Sequence, residues 1–343
     1  MTVNVGLIGL GFMGNTHLQV YRNLRNVKVV AVAEQLIERA NQVASQIDAR
    51  AYELQDELME DPKVDMVDIC LPTHLHAETT VKAAENGKHV LCEKPISLDL
   101  DGADKMIDAA RRNNVKFMVG HVIRFWPEYQ MLKKIRETSE LGTLRSLVCS
   151  RLSARPAWAQ GNWILDERKS GSAALDLHIH DTDYILYLLG TPDSVLAAGT
   201  VEHIQTLYNY GDGLLISAEG GWDLPEKFPF VMSYRAVFDR GTAEYFSNRT
   251  PTLTIYEGGK EPRAPRVPMP PIRAKAVGGN ISAIAGYYNE IKYFVDCVEK
   301  DQEPATVTPA DARAALEVTL AEIASVRAGR TMALGGTGVQ ESS

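Results

Sequence analysis

Near its N-terminus the chain reads Val3-Asn4-Val5-Gly6-Leu7-Ile8-Gly9-Leu10-Gly11-Phe12-Met13-Gly14, and this stretch decides the fold. An apolar strand runs directly into a glycine-rich turn, and a helical stretch follows over residues 15–24. Gly9 permits a tight turn, Gly11 lets a pyrophosphate approach the backbone, and Gly14 lets the helix pack closely against the sheet. Because a helix N-terminus favours negative charge, the stretch predicts a strand–turn–helix unit that binds a dinucleotide.

A carboxylate stands where such a unit needs one. The second apolar strand, Val27–Ala33, ends in Glu34, twenty residues after Gly14. In Rossmann units an acid at this place hydrogen-bonds the adenosine ribose. The acid disfavours a 2′-phosphate, and the two residues after it are not basic. We therefore predict NAD as the preferred cofactor, while Arg39, one helical turn further on, leaves NADP open.

The composition is that of a globular chain with two domains. Its 343 residues are 45% hydrophobic and 23% charged, and the formal charge is −8 with no basic cluster. This balance argues against nucleic acid and anionic membranes as partners. No apolar run is long enough to cross a bilayer, and the N-terminus shows no export signal, so we expect a cytoplasmic location. The four cysteines lack C-x-x-C spacing and are interpreted as buried hydrophobes.

Strands and helices alternate through the first part of the chain. Further strands are predicted over residues 64–71, 89–92 and 115–119, with helices between them, which indicates a parallel sheet with right-handed crossovers. Ligands of such sheets bind beyond the carboxyl ends of the strands. The residues that follow strand ends, and that we expect to line one crevice, are Thr73, His74, Lys94 and His121.

The motif Glu93-Lys94-Pro95 follows the fourth strand of this pattern. A lysine at a strand's carboxyl end can hydrogen-bond a substrate hydroxyl and stabilise the negative charge that develops on oxygen as a hydride leaves. Taken alone, Lys94 would be interpreted as a surface lysine in a turn. Its place inside a dinucleotide domain favours the functional interpretation.

Beyond Arg124 the pattern changes. A connecting helix over 125–138 precedes an alternating strand over 143–153, which suits a sheet with one covered face. Residues 155–171 are predicted as an irregular loop, in which Trp163 either lines a pocket or packs on the next helix. Glycine and aspartate turns between later strands predict antiparallel pairing, and these strands span 194–203, 213–222, 230–239 and 252–257. The proline-rich segment 262–271 is predicted as an extended arm, and helices are predicted over 282–299 and 309–328.

The segment between the loop and these strands reads Ala173-Ala174-Leu175-Asp176-Leu177-His178-Ile179-His180-Asp181-Thr182-Asp183-Tyr184. Helical spacing puts Asp176, His180 and Asp183 on one face. Two carboxylates beside an imidazole hold its tautomer and raise its basicity, as a general base requires. His178 falls on another face and is interpreted as structural. A competing interpretation, a metal-dependent hydrolase or lyase built on His74, His76, His178 and His180, is disfavoured because the second pair lies in a helical context.

In this order the motifs resemble the glucose–fructose oxidoreductase/inositol dehydrogenase (Gfo/Idh/MocA) family. The resemblance covers nearly the whole chain and rests on the G-x-G-x-x-G turn, on Glu93-Lys94-Pro95, and on D-x-x-x-H at Asp176 and His180. It implies a Rossmann domain (1–122), an α+β domain with a large, mostly antiparallel open sheet (123–334) and a flexible tail (335–343). It further implies a homodimer or homotetramer through the C-terminal sheet. The implied reaction is hydride transfer between NAD(P) and a secondary alcohol of a sugar, inositol or related polyol.

Carried over residue by residue, the resemblance makes Lys94 the contact to the reacting hydroxyl and His180 the acid/base, with Asp176 orienting lysine and substrate. The implied cofactor contacts are Gly9, Gly11, Phe12, Met13, Gly14, Glu34, Pro72, Thr73, His74, Glu93 and Lys94. The implied substrate contacts are Lys94, His121, Arg124, Trp163, Asp176, His180 and Asp183.

Three departures from the family pattern leave the substrate open. Thr73 replaces a frequent asparagine, the run 172–174 is less glycine-rich than usual, and His178 stands where a small residue is common. The family fold also serves a non-catalytic regulator that senses dinucleotide. The presence here of lysine, aspartate and histidine together argues against that role.

Overall fold

The structure is a computed structural model that describes residues 2–157, 159–211, 213–272 and 284–334, with Gln160 described by its backbone only. Its contacts define two units. Unit 1 comprises Met1–Pro127, Pro156–Gly171 and Pro268–Leu316, and unit 2 comprises Glu128–Arg155, Ser172–Val267 and Glu317–Ser343. These units are discontinuous in sequence, whereas the predicted domains 1–122 and 123–334 are continuous, and those boundaries stay predictions. The predicted tail 335–343 and the start of the predicted helix 282–299 lie outside the described residues.

Unit 1 contains a six-stranded parallel sheet in the order β3-β2-β1-β4-β5-β6. The inner strands are apolar and buried along nearly their whole length, as in sheets covered on both faces. The predicted parallel Rossmann sheet is thereby confirmed. Its strands are β1 (Val3–Ile8), β2 (Val27–Ala33), β3 (Arg50–Tyr52), β4 (Met66–Ile69), β5 (His89–Glu93) and β6 (Phe117–Gly120).

The helices interleave with these strands and continue through the chain. The terminal helix begins as its sequence predicts, because the Thr308 hydroxyl accepts a hydrogen bond from the Asp311 amide and the Asp311 carboxylate accepts one from the Thr308 amide. The helices are α1 (Phe12–Tyr21), α2 (Ile37–Ile47), α3 (Gln55–Glu60), α4 (His76–Glu85), α5 (Leu100–Arg112), α6 (Pro127–Glu137), α7 (Glu167–Ser170), α8 (Ile179–Leu189), α9 (Ala285–Glu299) and α10 (Pro309–Ala328). None of the helices in the described segments is long and apolar enough to cross a bilayer.

Unit 2 contains an eight-stranded sheet in the order β13-β12-β11-β7-β10-β9-β8-β14. Only the β7–β10 pair is parallel, so the predicted large, mostly antiparallel sheet is confirmed. Its strands are β7 (Leu144–Ala154), β8 (Ser194–Gly199), β9 (His203–Asn209), β10 (Leu215–Leu224), β11 (Val231–Phe238), β12 (Gly241–Phe246), β13 (Leu253–Glu257) and β14 (Met332–Ala333).

Several local predictions for this second region were wrong. The strand predicted over 194–203 corresponds to β8 and ends early, because the chain turns at Gly199, whose φ is +103°. Strand β9, which begins at His203, was not predicted beyond that residue. Strands β12 and β14 were not predicted. The loop predicted over 155–171 contains a 3₁₀ helix, Gln160–Leu165, and the short helix α7. The segment 262–271 has no helix and forms a single bridge, from Arg263 to Ile255, which agrees with an extended arm.

Tyrosine rings form much of the core of unit 2. The ring of Tyr129 on α6 lies 4.7 Å from that of Tyr184 on α8, 5.1 Å from Tyr234 on β11 and 5.5 Å from Tyr245 on β12. All three contacts are edge-to-face, the arrangement that aromatic quadrupoles favour. The hydroxyls of Tyr184 and Tyr234 donate to backbone carbonyls of α6. The cluster therefore fixes α6 and α8 on one face of the sheet.

Candidate active site

The glycine turn after β1 has the geometry that a dinucleotide needs. Gly9 has a φ of +89°, and a Cβ there would lie 2.6 Å from the carbonyl oxygen of Cys70, after β4. A Cβ on Gly14 would overlap the carbonyl oxygen of Gly9, so the helix can approach the turn only with glycine at this place. A Cβ on Gly11 would meet no atom within 4 Å. The turn thus leaves open space in front of the N-terminus of α1, which has no side-chain cap and fits a pyrophosphate.

Glu34 lies beside this turn, at the carboxyl end of β2. Its Oε2 accepts a hydrogen bond of 3.1 Å from the amide of Leu10. The guanidinium of Arg39 donates to the carbonyl oxygen of the same Leu10. Glu34 and Arg39, the residues that argue for and against NAD specificity, therefore bond the N–H and the C=O of the same residue, Leu10. Phe12 and Met13 are half-buried at the start of α1.

A buried network that was not predicted lies two turns along α1. Nδ1 of His17 is 2.8 Å from Oδ2 of Asp68 on β4, and Nε2 is 3.1 Å from Oε1 of Glu93 at the end of β5. The hydroxyl of Tyr21 also donates to Oδ2 of Asp68, at 2.9 Å. Since ionised carboxylates only accept hydrogen bonds, this geometry requires a proton on both ring nitrogens of His17.

The charges of the network agree with that assignment. Burial, the largest single effect, lowers the pKa of His17, but the interactions with Asp68 and Cys70 together outweigh it, so the pKa ends well above its usual value. Burial raises the pKa of Glu93, yet the hydrogen bond and the charge of His17 outweigh burial and leave the pKa below its ordinary value. Burial also raises the pKa of Cys70, 3.5 Å from the His17 ring, and keeps it a thiol. Asp68, a carboxylate in the middle of the mostly apolar strand predicted over 64–71, was the signal that could have found this network.

Lys94 follows the network directly and is half-buried. Its amide donates to Oε2 of Glu93 at 3.0 Å, so the two oxygens of Glu93 hold His17 on one side and the Lys94 backbone on the other. The Lys94–Pro95 peptide bond is cis. On the far side, His76 places Nδ1 2.8 Å from the carbonyl oxygen of Pro95 and Nε2 2.8 Å from that of Leu71. His76 is the first residue of α4 and is buried.

The other predicted residues of unit 1 have varied surroundings. Pro72 and Thr73 begin a 3₁₀ helix (Thr73–Leu75) after β4, with Thr73 buried and His74 exposed. His121 is buried directly after β6, and Trp163 is half-buried in the 3₁₀ helix of the predicted loop. Arg124 is buried and bonds the carbonyl of Thr306 at 2.9 Å and Asp311 at 3.2 Å. The cofactor-binding role of Pro72, Thr73 and His74 stays a prediction, as does the substrate-binding role of the other three residues.

In unit 2, Asp176, His180 and Asp183 lie on one helical segment that is not a uniform α-helix. Residues Ala174–His178 form a π-helix, whose i→i+5 hydrogen bonds widen the turn, and α8 follows from Ile179. The prediction of regular α-helical spacing from Asp176 onward was therefore wrong at this turn. His180 and Asp183 are buried, and Asp176 is half-buried. π-turns inside helices are frequent at functional sites.

His178 has a second buried network around its Nε2 atom. Oε2 of Glu322 on α10 is 3.2 Å away, and the hydroxyls of Thr206 and Tyr208 are 3.3 and 3.4 Å away. The ring packs on Gly220 of β10, where a Cβ would lie 2.7 Å from the Cβ of His178. This burial and packing agree with the interpretation of His178 as structural, which stays a prediction. Its partner Glu322 could not have been found from sequence, because the two lie far apart in the chain.

In the described part of the chain, one group of three candidate ligand atoms for a metal comes within 4.8 Å: His17, Asp68 and Cys70. None of His74, His76, His178 and His180 belongs to it. Both nitrogens of His17 already face carboxylates, so we interpret this group as part of the hydrogen-bonded network. The geometry therefore does not favour the metal-dependent alternative built on those four histidines.

Comparison with known proteins agrees with this geometry. Residues 3–121 match the family described as "Oxidoreductase family, NAD-binding Rossmann fold", and residues 129–244 match the GFO/IDH/MocA C-terminal domain. Together the two matches cover more than half of the chain. The chain therefore belongs to the Gfo/Idh/MocA oxidoreductase family, and the predicted NAD-type cofactor agrees with that family's Rossmann domain.

Its relatives include named dehydrogenases. The myo-inositol 2-dehydrogenase of Thermotoga maritima is 32% identical over 213 residues, 61% of this chain and 62% of that protein. The scyllo-inositol 2-dehydrogenase (NAD(+)) of Bacillus subtilis is 28% identical over 97% of this chain and 96% of that protein. A solved structure of levoglucosan dehydrogenase with NADH and levoglucosan shares the fold, with a TM-score of 0.84 at 23% identity, over 97% of this chain and 99% of that chain. For three curated relatives the chain spans only 53% to 62% of their length.

Proposed function

We propose that this protein is a dehydrogenase that transfers a hydride between NAD and a secondary alcohol of a sugar, an inositol or a related polyol. The observation that carries the proposal is Lys94 at the carboxyl end of β5, held by Glu93 in the same Rossmann sheet that presents the open glycine turn and Glu34. Relatives named for myo-inositol, scyllo-inositol and levoglucosan support the substrate class.

In the proposed reaction His180 removes the hydroxyl proton, and the electron pair of the C–H bond leaves the same carbon as a hydride. NAD, when bound, supplies the hydride acceptor. The ammonium of Lys94 donates a hydrogen bond to the oxygen on which negative charge develops, a contact that gains strength as the reaction proceeds. Asp176 orients the substrate, and Asp183 accepts hydrogen bonds from neighbouring hydroxyls.

The preference for NAD over NADP rests on Glu34. Its carboxylate lies at the end of β2, next to the turn that would hold the pyrophosphate, and there it would accept hydrogen bonds from ribose hydroxyls and repel a 2′-phosphate. Arg39 is bonded to the carbonyl of Leu10 on the same turn. We propose that this bond draws Arg39 away from a role as a phosphate receptor.

Self-association through the sheet of unit 2, as a homodimer or homotetramer, belongs to the proposal. Val148, Ser217, Leu207 and Leu196 are direct neighbours across β7, β10, β9 and β8 on one face. The three apolar members of this row are 38% to 46% exposed. Because a row of exposed apolar side chains on a flat sheet favours association, Leu207→Glu should convert the oligomer to monomers in light scattering, and an unchanged mass would contradict the interface.

The test of the proposed function is reduction of NAD, then of NADP, across a panel of inositols, aldoses and sugar acids. Lys94→Ala and His180→Ala should each lower kcat about 10²- to 10⁴-fold while NAD affinity stays near normal. Lys105→Ala, which removes an exposed lysine of α5 paired with Asp101, is the matched control and should leave turnover unchanged. Loss of NAD affinity in both variants would show that Lys94 and His180 are structural. Tight NAD binding without turnover on any substrate would favour the dinucleotide-sensing regulator.

A further inference from the structure

We propose that two buried histidines, His17 and His76, are positioning residues for Lys94, which they hold through its neighbours on either side. His17 fixes Glu93, and His76 fixes Pro95. The inference rests on the proposed role of Lys94 as the contact to the reacting hydroxyl. All of these residues belong to unit 1.

On the N-terminal side of Lys94, the chain of hydrogen bonds is continuous from α1 to the lysine backbone. Nδ1 of His17 bonds Asp68 at 2.8 Å, Nε2 bonds Glu93 at 3.1 Å, and the other oxygen of Glu93 accepts the Lys94 amide at 3.0 Å. The His17 side chain is fully buried. A helix that begins at the glycine turn is therefore tied, through one imidazole, to the residue that would contact substrate.

On the C-terminal side, His76 bridges two carbonyl oxygens at 2.8 Å each, one from Pro95 and one from Leu71. Leu71 precedes the predicted cofactor loop Pro72-Thr73-His74. Burial lowers the pKa of His76, although hydrogen bonds to the two carbonyls favour its protonated form. Since a neutral imidazole carries one N–H, neutral His76 donates to one of the two carbonyls at a time, and donation to both would require the charge that burial disfavours. His76 therefore contributes mainly geometry, whereas His17 contributes geometry and a positive charge.

A merely structural role would explain this arrangement less well. A buried triad of one imidazolium and two carboxylates is costly to desolvate, and well-packed apolar side chains of the same volume are often as stable or more so. The ring nitrogens of His17 and His76 each face a specific acceptor. Two of the acceptors belong to Glu93 and Pro95, the neighbours of Lys94, and the other two belong to Asp68 on β4 and to Leu71, which follows β4. Orientation of Lys94 therefore explains the network better than a gain in folding stability does.

Several titratable groups face the two imidazoles. They come from α1, from the ends of β4 and β5, and from α9. Most of them interact with His17, Glu93 or His76 directly, and one interacts through Tyr21. These groups are Tyr21, Asp68, Cys70, Glu93, Lys94, Tyr287 and Glu290. Among them His17 is the buried cation that faces both Asp68 and Glu93, so its removal should make Glu93 easier to protonate.

The experiment compares two substitutions at each histidine that keep different hydrogen bonds. A glutamine amide can reach where Nε2 stood, and an asparagine amide can reach where Nδ1 stood. His17→Gln therefore keeps a donor for Glu93, while His17→Asn keeps one for Asp68. His76→Asn keeps a donor for Pro95, while His76→Gln keeps one for Leu71. Asn is one methylene smaller than Gln, but the expected order is reversed between the two histidines, so a volume effect alone cannot produce both results.

We expect kcat to fall most in His17→Asn and His76→Gln, up to about 100-fold because small misplacements of reacting groups are costly. The other member of each pair should keep several-fold more turnover, with NAD affinity and thermal midpoint equal within the pair. In both His17 variants the acidic limb of the pH–kcat profile should move to higher pH. His89→Gln, at the opposite end of β5, should leave kcat unchanged. Equal kcat within both pairs, or losses that follow the thermal midpoints, would overturn the proposal.

A second readout does not need turnover. The amide of Lys94 donates to Glu93, so its hydrogen exchange, followed by NMR, should be slow in wild type and in His17→Gln and at least ten-fold faster in His17→Asn. If wild type shows this protection but oxidises no substrate, the positioning network stands and the proposed function fails. Fast exchange in wild type, or equal exchange in the two His17 variants, contradicts the network itself. If His17→Asn does not fold, Glu93→Gln provides the test. We expect it to lower kcat while NAD affinity stays unchanged, and an unchanged kcat would contradict the proposal.

Discussion

Each unit has a buried histidine beside proposed catalytic residues, and the two are held in different ways. His17 bonds Glu93, the neighbour of Lys94, and His178 lies between Asp176 and His180 in the chain. His17 in unit 1 has a carboxylate on each ring nitrogen. His178 in unit 2 has Glu322 and two hydroxyls around Nε2, while Nδ1 has no hydrogen-bond partner among the residues that the structure describes. The geometry thus demands protons on both nitrogens of His17 but on only one of His178. His17 is therefore a charged link between two acids, whereas His178 is a buried donor to one acid.

The largest expected difference is in stability. His17→Ala leaves Asp68 and Glu93 buried without their cation, which should cost about 3–5 kcal/mol of unfolding free energy, as breaking a buried ion pair does. His178→Ala leaves Glu322 with the Thr182 hydroxyl as donor at 3.1 Å, so a loss of about 1–3 kcal/mol is expected. Urea unfolding measures both. Equal losses would show that the two networks do not differ in charge.

A smaller difference is expected from the tyrosines that support each network. The Tyr21 hydroxyl donates to the charged Asp68, and the Tyr208 hydroxyl lies 2.9 Å from that of Thr182. Tyr208 also interacts with Glu322, but that carboxylate keeps His178 and Thr182 as partners, so Tyr208→Phe should cost about 0.5–1.5 kcal/mol. Tyr21→Phe removes a bond to the buried carboxylate of Asp68 and should cost about 1.5–3 kcal/mol. The same unfolding assay compares them, and the reverse order would break the distinction.

The subtlest effect is the dependence of stability on pH. The pKa of His17 is raised in the folded protein, so its contribution is complete below its unfolded pKa of about 6.5 and is lost as pH rises through the folded value. The stability gap between wild type and His17→Gln should therefore be widest near pH 6 and narrow as the pH is raised. The pKa of Glu93 is lowered, so its own contribution is lost only at acid pH. A gap that widens with pH would contradict the assigned charge of His17.

Much of the fold could be predicted because local signals and tertiary packing agree. The bounds predicted for Val27–Ala33 and Pro309–Ala328 match the structure, since β2 is an unbroken apolar run and α10 begins with a capping pair. Strand β3 was missed because it is a three-residue strand at the sheet edge. The break at Gly199 and the π-turn before α8 depend on backbone conformation that apolar periodicity does not report.

The parts of the candidate site that form a local sequence motif could be predicted. The parts that depend on contacts between residues far apart in the chain could not. The glycine turn, Glu34 and Lys94 carry their chemistry in the local sequence. The supporting groups do not, because His17 looks like any helical histidine until Asp68 and Glu93 are brought to it by two neighbouring strands. Likewise Glu322 lies on the last helix, and only the packing of unit 2 brings it to His178.

The central claim, hydride transfer from a substrate carbon to nicotinamide, is tested most directly by isotope transfer. A polyol oxidised by the wild type would be prepared with deuterium on its reacting carbinol carbon, and the reduced cofactor would be analysed by mass spectrometry and NMR. We expect the deuterium to appear on the nicotinamide ring and His180→Ala to form almost none of this labelled product. In a single turnover, the deuterium label should also slow the chemical step. Deuterium released to water, with the cofactor unlabelled, would contradict it.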